Sequence, residues 1–189
     1  MVFAGAALLL VSAAPAHAQA RAGFWLGFGA GYGQARVDCD EGCEDGDREG
    51  SVSGFFKLGG TLHRQLLLGV EVNGWTKEES GVRATLGNLS GTLTVYPGAR
   101  SGFFLKAGAG IAYVDTSTRQ GSLEVSLNET GFGFVAGAGW DLRLADNLSL
   151  TPCVNFNYGW PGDVVFDRVV VFPGFRQSVI DFAVGLTFH

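Results

Sequence analysis

The stretch Ser178-Val179-Ile180-Asp181-Phe182-Ala183-Val184-Gly185-Leu186-Thr187-Phe188-His189 decides how the rest of the chain is read. Ile180, Phe182, Val184, Leu186 and Phe188 fall on one face, and Val179, Asp181, Ala183, Gly185, Thr187 and His189 on the other. Alternation at period two marks a strand whose faces meet different surroundings. One face is large and apolar, the other mostly small or polar. A half-buried strand of a soluble sheet shows the same contrast. Two things separate the readings: whether every strand repeats the pattern, and whether any segment is left to cover the apolar faces.

The pattern repeats. Leu148 to Trp160 sets Leu148, Leu150, Val154, Phe156 and Tyr158 against Ser149, Thr151, Cys153, Asn155 and Asn157. Thr130 to Leu144 sets Phe132, Phe134, Ala136, Ala138, Trp140 and Leu142 against Gly131, Gly133, Val135, Gly137, Gly139 and Asp141. Phe103 to Val114, Leu86 to Tyr96, Leu66 to Trp75, Ser51 to Leu62 and Gly23 to Asp38 alternate likewise. In the last of these Phe24, Leu26, Phe28, Ala30 and Tyr32 oppose Trp25, Gly27, Gly29, Gly31 and Gly33; no helix pattern follows, so these glycines are a strand face and not a dinucleotide fingerprint.

That makes eight strands, each about as long as a tilted membrane strand requires. Short turns at 63–65, 97–102 and 145–147 alternate with longer polar loops at 39–50, 76–85, 115–129 and 161–177. An even strand count with short turns at one end and long loops at the other is the pattern of outer-membrane barrels. No helix remains to cover an apolar face. The expected fold is therefore all-β, an eight-stranded antiparallel up-and-down transmembrane barrel over residues 21–189. Phe24, Tyr32, Phe103, Tyr113, Trp140, Tyr158, Trp160 and Phe188, near strand ends, suit its interfacial girdles.

Residues 1–20 read as a signal peptide: Phe3 to Ala14 is apolar, and Ala16-His17-Ala18 or Ala18-Gln19-Ala20 supplies a small-x-small cleavage site. No Lys or Arg precedes the apolar run, which is too short to span as a helix. The formal net charge of -5 gives no reason to expect a nucleic-acid partner. Thirty glycines disfavour helices and suit close-packed strand interiors.

The chain resembles the small eight-stranded outer-membrane β-barrel proteins of Gram-negative bacteria. Gly23–Gly33 looks like their glycine-rich first strand, and Phe104-Leu105-Lys106-Ala107-Gly108-Ala109-Gly110 like their recurrent fifth strand. Gly185-Leu186-Thr187-Phe188-His189 is similar to their closing strand, which normally ends in the aromatic residue read by the barrel-assembly machinery; here His189 follows Phe188. The resemblance implies the cell outer membrane as location, with surrounding lipid, lipopolysaccharide and that machinery as partners.

Candidate chemistry lies on the polar face, in Lys57, Glu71, Asn73, Lys106, Asp141, Asn155, Asn157 and Asp181. An active site or polar channel is one reading. A plug of ion pairs and hydrogen bonds is the other, favoured because an eight-stranded barrel holds little beyond its own side chains and confined charges need partners. Turn arithmetic sets Lys57 opposite Glu71, an expected ion pair, Asp141 opposite Thr151, and Cys153 opposite Gly139. The histidines, His17, His63 and His189, lie in the leader, a short turn and the terminus, away from the long loops where envelope acyl-transfer enzymes act, so no catalytic residue is assigned. Asp38 to Glu49 is acidic but out of register with the twelve-residue calcium loop, and no metal or cofactor is expected. Cys39 and Cys43 are close enough for one disulfide in an oxidising compartment.

The expected function is structural or surface-interacting, by a monomer whose external loops touch lipopolysaccharide or other surfaces. The alternatives are a narrow channel for a small solute and an envelope lipid-modifying enzyme. A soluble lipocalin-like carrier would turn the faces inside out, and an exterior of Gly, Ala and Val makes a poor soluble surface.

Overall fold

Backbone pairing follows the alternation almost without interruption. The computed structural model describes residues 21–40, 47–120, 123–166 and 169–189. Nine strand segments run through them: β1 (Phe24–Asp38), β2 (Glu49–His63), β3 (Leu66–Glu79), β4 (Val82–Val95), β5 (Phe103–Gln120), β6 (Leu123–Trp140), β7 (Leu142–Ala145), β8 (Leu148–Phe166) and β9 (Val169–Phe188). β6 and β7 are two parts of one stave, both paired with β8, so the barrel has eight staves. The residues of the leader reading, 1–20, lie outside those described.

Every sequential pair is antiparallel, and β1 closes the ring on β9 from Leu26↔Phe188 to Asp38↔Arg176. Closure matters because an unpaired strand edge leaves backbone donors and acceptors that hydrocarbon cannot satisfy. The break between β6 and β7 has a local cause. Register continues from Gly139↔Cys153 to Leu142↔Leu150, which puts Pro152 and Thr151 across from Trp140 and Asp141. Proline has no N–H to give the ladder, and the Asp141 N–H instead donates to Gly102 O at 2.9 Å.

The facing read from the alternation holds. Phe28, Phe56, Val70, Leu89, Leu105, Ile111, Phe132, Val154, Phe182 and Val184 are exposed on the outside. Trp25, Phe55, Leu67, Trp75, Phe104 and Val135 are buried inside. Inward glycines make room for the larger rings. A Cβ at Gly29 would lie 2.7 Å from the Phe55 ring, and one at Gly185 2.8 Å from it, so Phe55 occupies space that any other residue would fill.

The long connections differ from expectation. Segments 76–85, 115–129 and 161–177, read as polar loops, are mostly ladder. β3 and β4 pair out to Glu79↔Val82 around Ser80-Gly81, both at positive φ (52° and 82°), the hallmark of a type I′ hairpin turn. Polar side chains do not end strand pairing once the strands stand in water. Cross-strand partners support it, with Thr76 and Thr85 hydroxyls 3.2 Å apart and Arg83 Nη2 2.7 Å from Glu78 Oε2.

Candidate functional site

The inward faces meet along the barrel axis in layers. At the end that carries the short turns, Asp141 is the centre. Tyr96 Oη donates to its Oδ2 at 2.6 Å and Thr151 Oγ1 to its Oδ1 at 2.7 Å. His189 Nε2 lies 3.5 Å from Oδ2, and the Thr151 and Thr187 hydroxyls are 2.8 Å apart. Arg21 covers this layer with its guanidinium 3.5 Å above the Tyr96 ring centroid and one donor on Ser101 O at 2.8 Å.

Above it lies an apolar layer of Trp25, Phe55, Leu67, Phe104, Cys153 and Ala183. Lys57 ends among three of its rings, with Nζ 5.2 Å from the Phe104 centroid, 5.5 Å from Phe55 and 5.9 Å from Trp25. The register places Lys57 opposite Glu71, but the expected ion pair between them is corrected. Glu71 gives both oxygens to Lys106, at 2.5 and 2.6 Å, with the two side chains 1% and 3% exposed. Long side chains in a narrow lumen reach across the axis, so a directly opposed residue has no monopoly on a carboxylate. Lys57→Met is accordingly expected to change stability by no more than about 1 kcal/mol, since a thioether of similar length suits the rings and strands no charge; urea midpoints in lipid vesicles check this.

The next layer is polar. Asp181 accepts from Asn155 Nδ2 at 2.8 Å and Asn157 Nδ2 at 3.2 Å. Asn88 donates to Tyr158 O at 2.9 Å, and Gln177 to Gly87 O and Tyr113 O at 3.3 Å. Asn73 and Gln177 face a cavity of about 10 Å³, the space of a single water. A second apolar cluster, Ala35, Trp75, Leu86, Val114, Phe175 and Val179, fills the mouth at the long-hairpin end, with Trp75 Nε1 donating to Gly33 O at 3.0 Å.

All eight polar positions singled out in the sequence are buried. The structure divides them. Glu71 and Lys106 form one unit; Asn155, Asn157 and Asp181 another; Asn73 lines the small cavity with Gln177; Asp141 belongs to the turn end; and Lys57 sits among aromatics. Sequence reasoning missed Arg21, Tyr96, His189 and Gln177 as contributors, while Asn88, Thr151 and Thr187 were visible on polar faces without being singled out. Period two reports facing inside a strand and nothing about residues that fold over a strand end.

Among the described residues no group of three or more His, Cys, Asp or Glu is arranged to hold a metal. Residues 41–46 of the acidic segment, Cys43 included, lie outside the described residues. Cys39 is disulfide-bonded. Cys153 is a free cysteine, 8% exposed and paired in register with Gly139. It should resist a membrane-impermeant thiol reagent on intact cells; rapid labelling would show that the lumen admits solvent as far as this layer.

Outside the apolar band, Lys77 Nζ lies 2.6 Å from Glu79 Oε2 and 3.0 Å from Glu49 Oε2, and those hydrogen bonds raise its pKa. Arg36 pairs with Asp38, Arg83 with Glu78, and Arg176 with Asp40.

Two solved structures share this fold. Neisserial surface protein A is similar over 87% of this chain and 96% of its own, at 15% identity and a TM-score of 0.57. Ail, the attachment invasion locus protein of Yersinia pestis, solved in complex with the heparin analogue sucrose octasulfate, is similar over 88% of this chain and 99% of its own, at 11% identity and a TM-score of 0.56. At such identities the likeness is one of fold. No individual curated protein matches the sequence. The family model for the outer membrane protein beta-barrel domain matches residues 3–188. A closed ring with an apolar outside, a packed polar inside and that match have one meaning: the chain belongs to the outer membrane protein β-barrel domain family and resides in the outer membrane.

Proposed function

We propose that this barrel is a structural or surface-interacting protein that works through its external hairpins and not through its lumen. The observation that carries the reading is the filled axis: two apolar clusters bracket the Glu71–Lys106 pair, and the cavity beside Asn73 and Gln177 holds about 10 Å³. A solute would have to displace both clusters and the ion pair between them, which argues against the narrow-channel alternative. An acyl-transfer role has less support, because His189 and Asp141 meet at the short-turn end and His63 ends β2 there. That end faces the periplasm in this reading.

The ladders of β3–β4 and β8–β9 project the external hairpins. The chemistry there offers a polyanion of the kind seen with Ail few free cations. Arg36, Lys77, Arg83 and Arg176 are each tied to a carboxylate, and a sulfate would have to compete with those contacts, whereas Arg48 donates only to the Gln34 carbonyl. Lipopolysaccharide around the barrel and a neutral or basic partner surface fit better. In the same reading residues 1–20 are removed as a signal peptide, the strand ending in Phe188-His189 is read by the assembly machinery, Cys39 pairs with Cys43, and the barrel is a monomer.

Planar-bilayer recording of the refolded protein tests the lumen half of the proposal. No stepwise conductance is expected, and steady unitary currents would move the channel reading to the front. Deletion of 164–172 from the β8–β9 hairpin tests the other half: cell-surface attachment should fall while the barrel still shows heat-modifiable migration. Unchanged attachment would remove that hairpin from the function.

A further inference from the structure

One depression interrupts the outward apolar surface. Between the staves of β5, β6, β8 and β9, on the half nearer the short turns, lies an open groove of about 520 Å³. Its floor includes Ala138 and Pro152, and Phe103, Trp140, Phe182 and Val184 rise around it. The depression has a cause in the sequence. Ala138 and Pro152 are small outward residues placed among large ones, and Pro152 also marks the break in the ladder between β6 and β7.

We infer that this groove is a binding site for one glycerophospholipid of the inner leaflet. It lies on the apolar face of membrane-spanning strands, so what fills it must be apolar. The groove is open to the bilayer along its length, so an acyl chain would lie in it against the strands without being enclosed. At its turn end Phe103 packs against Trp140, with ring centroids 5.9 Å apart, and the amphipathic indole suits headgroup level. Arg100 lies in the turn three residues before Phe103, is exposed, and has no carboxylate partner among the described residues. Four cations of the outer end, in contrast, are each held by an acid. An apolar groove ending at a ring pair, with an exposed arginine in the turn that leads into that pair, matches an acyl chain joined to a phosphate. The inference rests on the membrane location and not on the role proposed for the hairpins.

The test is native mass spectrometry of the protein extracted from vesicles of phosphatidylethanolamine and phosphatidylglycerol. Three variants are compared with the parent: Ala138→Phe, which fills the groove; Arg100→Glu, which reverses the charge in the turn; and Ala109→Phe, a control on the outward face of β5. Each is first shown to be folded by heat-modifiable migration. The parent and Ala109→Phe are expected to retain one phospholipid, and Ala138→Phe to retain none. Arg100→Glu, which alters no strand, is expected to lose most of the bound lipid and keeps the inference testable should Ala138→Phe not fold. Three results would overturn it: a parent that carries no phospholipid, equal retention in the parent and both groove variants, or a lipid-free dimer that Ala138→Phe converts to monomer, which would make the groove a contact between copies.

Discussion

Glu71→Gln is expected to destabilise the barrel by about 3–5 kcal/mol. The change removes one charge and leaves the Lys106 ammonium buried where both carboxylate oxygens had held it, at 2.5 and 2.6 Å. Its surroundings offer little replacement. Gly108 and Gly137 flank it without side chains, and the Phe55 ring centroid is 5.6 Å from Nζ. Lys106→Met should be damaging for the mirror reason, because it leaves the Glu71 carboxylate alone. The double replacement Glu71→Leu with Lys106→Leu should recover most of the loss, since removing both partners also removes the desolvation of both. Urea midpoints of the parent and the three variants refolded into lipid vesicles give these values. A loss below about 1 kcal/mol for Glu71→Gln would mean that water reaches Lys106, because an exposed pair contributes no more than that, and the account of a closed lumen would fall with it.

The second large effect belongs to β9. Val184→Arg should cost about 2–4 kcal/mol, the range for a cation on the lipid face near the bilayer midplane. Val184 is 54% exposed on the outside, opposite Ala30 on β1 and Pro152 on β8. Ala183, one residue earlier, is 4% exposed and packs against Gly31, whose missing Cβ would come within 2.8 Å of its own. Ala183→Ser adds a single hydroxyl to the apolar layer beside Cys153 and should cost less, because a neutral hydroxyl is cheaper to bury than a charge. Since a one-residue slip exchanges the two faces of a strand, the pair of variants reports the facing of β9 directly. A larger loss from Ala183→Ser than from Val184→Arg would reverse the barrel's inside and outside.

The smaller effects have the same logic. Burial without a carboxylate, as at Lys57, predicts tolerance of a neutral substitute. Burial without a cysteine partner, as at Cys153, predicts a protected thiol. Reduction of the disulfide at Cys39, if it closes on Cys43 as we propose, should cost less than the roughly 3 kcal/mol of a fifteen-residue loop, because the closed loop is short. Mass spectrometry of unreduced protein that found both thiols free would refute the pairing.

Much of the fold was legible because facing is a local property. Alternation of side chains at period two needs only the strand itself, so the outward Phe182 and Val184 and the inward Asp181 and Ala183 could be read from Ser178–His189 alone. Strand number followed, as did the paired registers around the short turns: Lys57↔Glu71 and Cys153↔Gly139 came from turn positions by arithmetic. Strand ends were read less well. The segments at 76–85, 115–129 and 161–177 look like loops by composition, but pairing is a matter of two backbones, and Glu78↔Arg83 or Asp115↔Asn128 forms whatever the polarity of its side chains.

The amino-acid sequence by itself determined that residues 21–189 are built from strands, which face of each strand is apolar, and hence that the barrel belongs in a membrane. Those properties depend on neighbours one and two residues apart. Tertiary structure alone decided who meets whom inside. Glu71 chose Lys106 over the residue directly opposite it, Lys57 turned to Phe104 and Phe55, and Asp141 gathered Tyr96, Thr151 and His189 from strand ends distant in the chain. The reason is geometric. A closed barrel brings every inward side chain within reach of several others across its axis, and which contacts form is set by the space that glycines and rings leave there, a quantity no stretch of sequence contains.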